Sequence, residues 1–238
     1  MSELVNVSFD GATDPALTPI PFSTVTEGGG NDLKYNATGG VGGSPGMELV
    51  FAGVAAPCNG EIVHGTVTPA GNVPYASFDL AIVNTGLVLT QASDLFRAQL
   101  VTTPVCKVRI VGQAVASNYR LSVVDLIGGG GTVESTSVFA QGAAFKRILL
   151  HFHGPSNEYR LFVDGALEVT CSVGAALSAF DRENWGSIDL SIPSMAGSWF
   201  YDNLYVDDGE SDPPPLTGLA SGYLPPRGGG MGLGVNRM

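Results

Sequence analysis

An Asp164-Gly165 pair sits between two runs of alternating apolar and polar residues, and it leaves the surrounding chain few alternatives to a β-hairpin. Both central residues of a type I′ turn need positive φ, and Asp-Gly supplies them at little steric cost. The segment Arg147–Cys171, RILLHFHGPSNEYRLFVDGALEVTC, then reads as three successive antiparallel strands. The turn sets the pairing as Val163 with Ala166, Phe162 with Leu167, Leu161 with Glu168 and Arg160 with Val169. Because side chains alternate faces, Phe162, Leu167 and Val169 are expected on one apolar side.

The same alternation recurs along the chain. Val5, Val7 and Phe9 mark a half-buried strand, and Tyr75–Val83 sets Ala76, Phe78, Leu80 and Ile82 against Tyr75, Ser77 and Asp79. Met47–Val54, Glu61–Val67, Leu87–Thr90, Leu95–Val101, Cys106–Val111, Tyr119–Leu126, Ser137–Ala140, Trp185–Ile192 and Trp199–Val206 add short β runs, with turn residues between them. Ala175–Arg182 is the one stretch that suggests a helical turn. The chain has 33 Gly and 15 Pro, which suits many turns, and 44% hydrophobic residues, enough for a large core. A dozen or more strands at 8–12-residue spacing without βαβ alternation predict an all-β, two-sheet antiparallel sandwich of jelly-roll type. Residues 1–208 are read as that domain. Residues 209–238, with Pro213-Pro214-Pro215, Pro225-Pro226 and Gly228-Gly229-Gly230, are read as an extended arm or disordered tail.

Charge excludes some functions. Eleven Lys and Arg face 22 Asp and Glu, for a net charge of −11. Counterion displacement from a nucleic acid needs a basic face, so neither nucleic acid nor an anionic membrane is expected as a partner. No apolar run approaches the ~18 residues of a membrane-spanning helix, and the first residues show no signal peptide. Cys58, Cys106 and Cys171 are widely spaced and are expected to be buried free thiols.

Three segments carry a family resemblance. Tyr159–Gly165 (YRLFVDG) is similar to a hairpin frequent in the concanavalin A-like, laminin-G-like jelly rolls. Trp199–Val206 (WFYDNLYV), followed by Asp207-Asp208-Gly209, resembles their closing strand, and Phe9-Asp10-Gly11 resembles their first strand, which usually pairs with the last. The resemblance covers residues 1–208 and implies the fold. That fold hosts lectins, hydrolases, lyases and phage virion proteins, so it does not imply one function.

Candidate chemistry is sparse. No ExDxxE-like run of paired carboxylates is present, and the Asp181-Arg182-Glu183 cluster is expected in a loop. His151 and His153 share a strand face but have no third metal ligand in view. Alternation puts Asp202 with Phe200, Leu204 and Val206, towards the interior of the sandwich or its rim, where a carboxylate must be hydrogen-bonded, paired or metal-bound. In related sugar-binding modules an acidic residue there helps to hold a structural Ca²⁺, so the resemblance implies Asp202 and Asp10 as candidate ligands; no other cofactor is expected. Trp199, Tyr201 and Tyr205 on the opposite side of that strand, with Trp185, are the candidate ligand or interface residues.

Three function classes follow. The first is a non-enzymatic virion structural protein of the kind found in phages, a capsid decoration or tail-associated subunit. It would be made in the host cytoplasm and would bind a major capsid protein, tail subunits or further copies of itself through its surface and arm. The second is a lectin-like, carbohydrate-binding module with a glycan partner. An enzyme is placed last.

Overall fold

The computed structural model describes residues 3–7, 9, 22–84, 86–87, 91–127, 131–188 and 195–209. The described strands are β1 (Glu3–Val7), β2 (Thr24–Glu27), β3 (Asp32–Asn36), β4 (Gly46–Val54), β5 (Cys58–Val67), β6 (Tyr75–Ile82), β7 (Ala92–Leu100) and β8 (Thr103–Gly112). They continue as β9 (Asn118–Asp125), β10 (Thr132–Glu134), β11 (Phe139–Ala140), β12 (Gly142–His153), β13 (Glu158–Val163), β14 (Ala166–Ser172), β15 (Phe180–Ser187) and β16 (Met195–Asp207). They form two antiparallel sheets, the sandwich expected from alternation. The first runs β14-β13-β12-β6-β16-β4-β3, with β1 also on β16; the second runs β10-β9-β8-β7-β15-β5-β2, with β11 on β9.

The core lies between the sheets. Phe78, Leu80, Leu150, Phe152 and Leu161 of the first sheet meet Phe96, Val108, Ile110 and Trp185 of the second, all fully buried. Phe78 stacks on Phe96 at 6.1 Å and Phe152 on Phe180 at 4.3 Å. Burying side chains of this size contributes roughly 2 kcal/mol each, before the entropy of ordering them is subtracted. The three cysteines are buried and free, as expected.

Each departure from the sequence expectations has a local cause. Asp164 and Gly165 do turn the hairpin, with φ of 50° and 84°. Two pairs on, a bulge moves Leu161 opposite Val169 and Arg160 opposite Thr170. The extra residue is Glu168, whose carboxylate accepts hydrogen bonds from the Ser137 amide and the Thr136 and Ser137 hydroxyls. A one-residue slip reverses faces. Val169 is therefore buried in the core, Leu167 is 53% exposed, and Phe162 packs on the outer side of the sheet with Leu149 and Tyr75.

A second bulge lies in β16, where Asp202 is opposite Asp79 and Tyr205 is opposite Ser77, with Asn203 at φ 49°. Before it Trp199 and Tyr201 point inward; after it Leu204 and Val206 do. The helical turn expected over Ala175–Arg182 is not formed: Phe180 to Ser187 is strand β15, held between β5 and β7. First and last strands pair as the resemblance implies, Val5 with Val206 and Val7 with Leu204. Gly209 is described; the rest of the expected C-terminal arm lies outside the described residues.

Candidate functional site

The aromatic residues expected in a groove are in the interior. Trp185, Trp199 and Tyr201 have no exposed surface; they pack edge-on or tilted against Phe96 (5.6 Å), Phe51 (4.7 Å) and Phe78 (5.6 Å). The bulge at Asn203 is the reason, since it inverts the side assigned to the first half of the strand. Tyr201 also donates its hydroxyl hydrogen to the Leu95 carbonyl at 3.0 Å, tying the sheets together. Tyr201→Phe leaves that carbonyl unpartnered, and urea unfolding is expected to show a loss of about 1–2 kcal/mol. Tyr205 alone of the four faces outward, stacked on Tyr75 at 5.6 Å.

Asp202 is buried, and burial raises its carboxyl above the usual range against three stabilising hydrogen bonds. Those bonds come from the Val41 amide (2.9 Å), the Ser44 hydroxyl (3.1 Å) and the Asn203 amide (2.7 Å). Its oxygens thus face N–H and O–H donors, the opposite polarity from what a cation needs, and the described surroundings do not fit Ca²⁺. Asp10 lies outside the described residues. Among the described residues no three His, Cys, Asp or Glu side chains converge as a metal site would require.

His151 and His153 do share the outer face of the first sheet. His151 is buried against Tyr75 and Phe162, and burial, followed by the charges of His153 and Arg160, lowers its pKa to about 4. His153 Nδ1 lies 2.6 Å from the Ser156 hydroxyl. Glu183, expected in a loop, is instead fully buried on β15, with Oε1 2.6 Å from His64 Nε2. His64 Nδ1 is 2.6 Å from the Gly65 carbonyl, so both ring nitrogens face acceptors. Burial pulls the His64 pKa down, but the Glu183 hydrogen bond and charge raise it above its ordinary value overall. Burial also pushes the Glu183 carboxyl up, with His64 opposing.

The concentrated polar chemistry lies on the outer face of the second sheet, where no candidate was expected. Cross-strand pairing aligns Glu61 (β5), Asn184 (β15), Arg97 (β7) and Lys107 (β8) in one row. Beside it run Arg182 with Gln99, and Asp94 with Arg109, Ser122 and Glu134. Asp94 is the anchor. Its side chain has no exposed surface, and three cations converge on it: Arg97 at 2.7 Å, Lys107 at 3.0 Å and Arg109 at 3.3 Å. Asn184 donates to Gln99 at 2.6 Å, and Arg182 leans between Asp181 (3.0 Å) and Glu61 (3.8 Å).

With Arg120 this face carries five of the chain's eleven Lys and Arg side chains (Arg97, Lys107, Arg109, Arg120, Arg182), with Asp94, Glu61, Glu134 and Asp181 beside them among the described residues. In a protein of net charge −11, nearly half of the basic side chains are thus gathered on one face. The signal was present in Arg97-x-Gln99 and Lys107-x-Arg109, polar residues at alternate positions of otherwise apolar strands. Such pairs become a site only when the strand order is known.

No protein-family model matches the sequence, and no curated protein matches it. Solved structures do share its fold. The cellulose induced protein Cip1 superposes with a TM-score of 0.61 at 14% identity, over 86% of this chain and 97% of its own. A conserved carbohydrate esterase from the Shiga toxin-encoding bacteriophage phi24B gives 0.59 at 11% identity, over 85% and 98%. An endo-β-1,4-glucuronan lyase from the fungus Trichoderma reesei gives 0.52 at 12% identity, over 78% and 90%. These likenesses establish a jelly-roll β-sandwich consistent with the concanavalin A-like fold. They also correct the expectation of a non-enzyme: an esterase and a lyase are built on this scaffold, so the absence of a glucanase-like carboxylate run gives no ground for excluding catalysis.

Proposed function

We propose that this protein acts on or binds an acidic carbohydrate, recognised on the outer face of the second sheet. The observation that carries the reading is the convergence of Arg97, Lys107 and Arg109 on the buried carboxylate of Asp94. That carboxylate holds their side chains in place, so a ligand would meet a preformed set of N–H donors. Guanidinium groups suit this task because their planar N–H fork matches a carboxylate. Gln99 and Asn184, in the same rows, supply amide groups of the kind that bind sugar hydroxyls. Similarity to a glucuronan lyase and a carbohydrate esterase supports a carbohydrate as the anion's carrier.

Affinity electrophoresis through gels containing a polyuronate or a neutral glucan tests this. Retardation by the polyuronate alone, weakening as salt is added, is the expected result. Arg109→Gln and Arg182→Gln sit at the more exposed edge of the cluster, and each is expected to weaken binding about tenfold while leaving the melting temperature near its original value. Equal mobility in both gels at low ionic strength would sink the reading. Following the ultraviolet absorbance of unsaturated uronate in the same samples reports whether binding leads to cleavage.

A virion location is compatible with this activity, and the bacteriophage origin of the similar esterase supports it. In that setting the sandwich would present its polar face to a surface glycan while other surfaces, or the C-terminal segment, hold neighbouring subunits. Mass spectrometry of purified particles decides the point: absence of the chain from intact virions refutes the location without touching the carbohydrate reading.

A further inference from the structure

The polar face of the second sheet holds hydrogen-bond donors that its ion pairs leave unused. Arg109 (β8) and Ser122 (β9) are opposite each other, and Arg120 lies on the same face of β9, two residues from Ser122. Among the described residues, Arg109 Nε, Arg120 Nε and Ser122 Oγ are buried atoms without a hydrogen-bond partner. Ser122 has no exposed surface. Arg109 Nε is 3.3 Å from Asp94 Oδ1 but is not aligned for a hydrogen bond, and Arg120 reaches Glu134 only at 3.7 Å, through Nη1. Most buried polar side-chain atoms in folded proteins are paired, so three open donors together mark a place for an acceptor from outside the chain.

Other arginines of this chain show what such donors suit. Arg147 gives Nε and Nη2 side by side to the Asp79 carboxylate, and Arg160 turns the same edge to Glu158. That planar fork matches a carboxylate. In Arg109 and Arg120 the Nε–H half of the fork is open, and side chains 30% and 36% exposed bring both guanidinium groups to solvent. The unpartnered acceptor beside them on this face is Asp94 Oδ1. Three open donors against one open acceptor call for a group that mainly accepts, which a carboxylate does and a hydroxyl, amide or ammonium does not.

We propose that Arg109, Arg120 and Ser122 form the subsite for the carboxylate of a uronic acid residue. The inference rests on the carbohydrate reading and deepens it. The two guanidinium groups donate through Nε–H and Ser122 through its hydroxyl. The carboxylate is thereby placed over β8 and β9, to one side of the Asp94 anchor on β7.

Ser122→Ala tests it in the full-length protein, by electrophoresis through gels containing a polyuronate. The hydroxyl has no partner within the described residues, so its removal strands nothing and the melting temperature is expected to be no lower than the parent's. Binding is expected to weaken about tenfold, the effect of losing one hydrogen bond to a charged group. Arg120→Lys keeps the charge but loses Nε–H, and it too is expected to weaken binding about tenfold. If the polyuronate retards the parent and either variant equally, the open donors belong to solvent, which overturns the subsite and leaves the wider carbohydrate reading standing. A parent that is not retarded overturns both. A clear fall in melting temperature for Ser122→Ala reveals an internal partner for the hydroxyl and overturns the subsite. A sulfated glycan that retards the parent as strongly as the polyuronate overturns the assignment to a carboxylate.

Discussion

Replacing Asp94 by Ala is expected to destabilise the protein by about 3 kcal/mol, read from urea unfolding at neutral pH and low salt. Asp94 is fully buried and is the common partner of Arg97, Lys107 and Arg109. Its removal takes a shared carboxylate away from three close cations, of which the Arg97 and Lys107 side chains are only 11% and 13% exposed. Breaking a buried ion pair by deleting one member is costly, and here one deletion removes a partner that three cations share. Added salt screens part of the repulsion, so the deficit should shrink as ionic strength rises. Arg109→Ala provides the contrast: Arg109 is 30% exposed, and two cations remain on Asp94, so the loss should stay near 1 kcal/mol. A cost for Asp94→Ala no larger than that of Arg109→Ala would show that the carboxylate is not the anchor.

Acidification is expected to remove about 3 kcal/mol of stability through His151 alone as pH falls from about 6.5 to 4. The sign follows from the direction of the shift. Folding lowers the His151 pKa from 6.5 to about 4, so the unfolded chain binds this proton first. The neutral ring's contribution is complete above 6.5 and drains away as pH falls through the folded value. The charges of His153 and Arg160 beside it add to the penalty on charging His151. His151→Phe keeps the packing against Tyr75 and Phe162 and should flatten this limb relative to the parent. His64 works in the opposite direction. Its pKa is raised by Glu183, so its contribution is present below about 6.5 and is lost as pH rises through the folded value. His64→Gln should therefore change the alkaline limb. Identical pH profiles for parent and His151→Phe between 7 and 4 would contradict the burial argument.

The sandwich was legible because alternation is a local property. The strand Tyr75–Ile82 buries Ala76, Phe78, Leu80 and Ile82, and the Asp164-Gly165 turn appears where its dihedral demands place it. Faces were misread wherever a bulge intervened. Neither Glu168 nor Asn203 marks itself as an extra residue in the sequence, yet each inverts everything beyond it, moving Val169 into the core and placing Trp199 and Tyr201 inside. Glu183 was misplaced because an acidic residue between Arg182 and Asn184 reads as exposed until its partner His64, 119 positions away, is known. The polar face failed to show for the same reason. Its row takes Glu61, Arg97, Lys107 and Asn184 from separate strands, and only the order β5-β15-β7-β8 makes them neighbours.

The pairing of β1 with β16 sets Glu3 opposite Asp207, so the described fold is entered and left through one doorway. Antiparallel partners sit about 5 Å apart, a gap that a short peptide can bridge. A domain with that geometry is portable. It can be spliced into an exposed loop of a host protein without prising the host open, strung in tandem with its copies all facing one way, or closed on itself and reopened at a different turn.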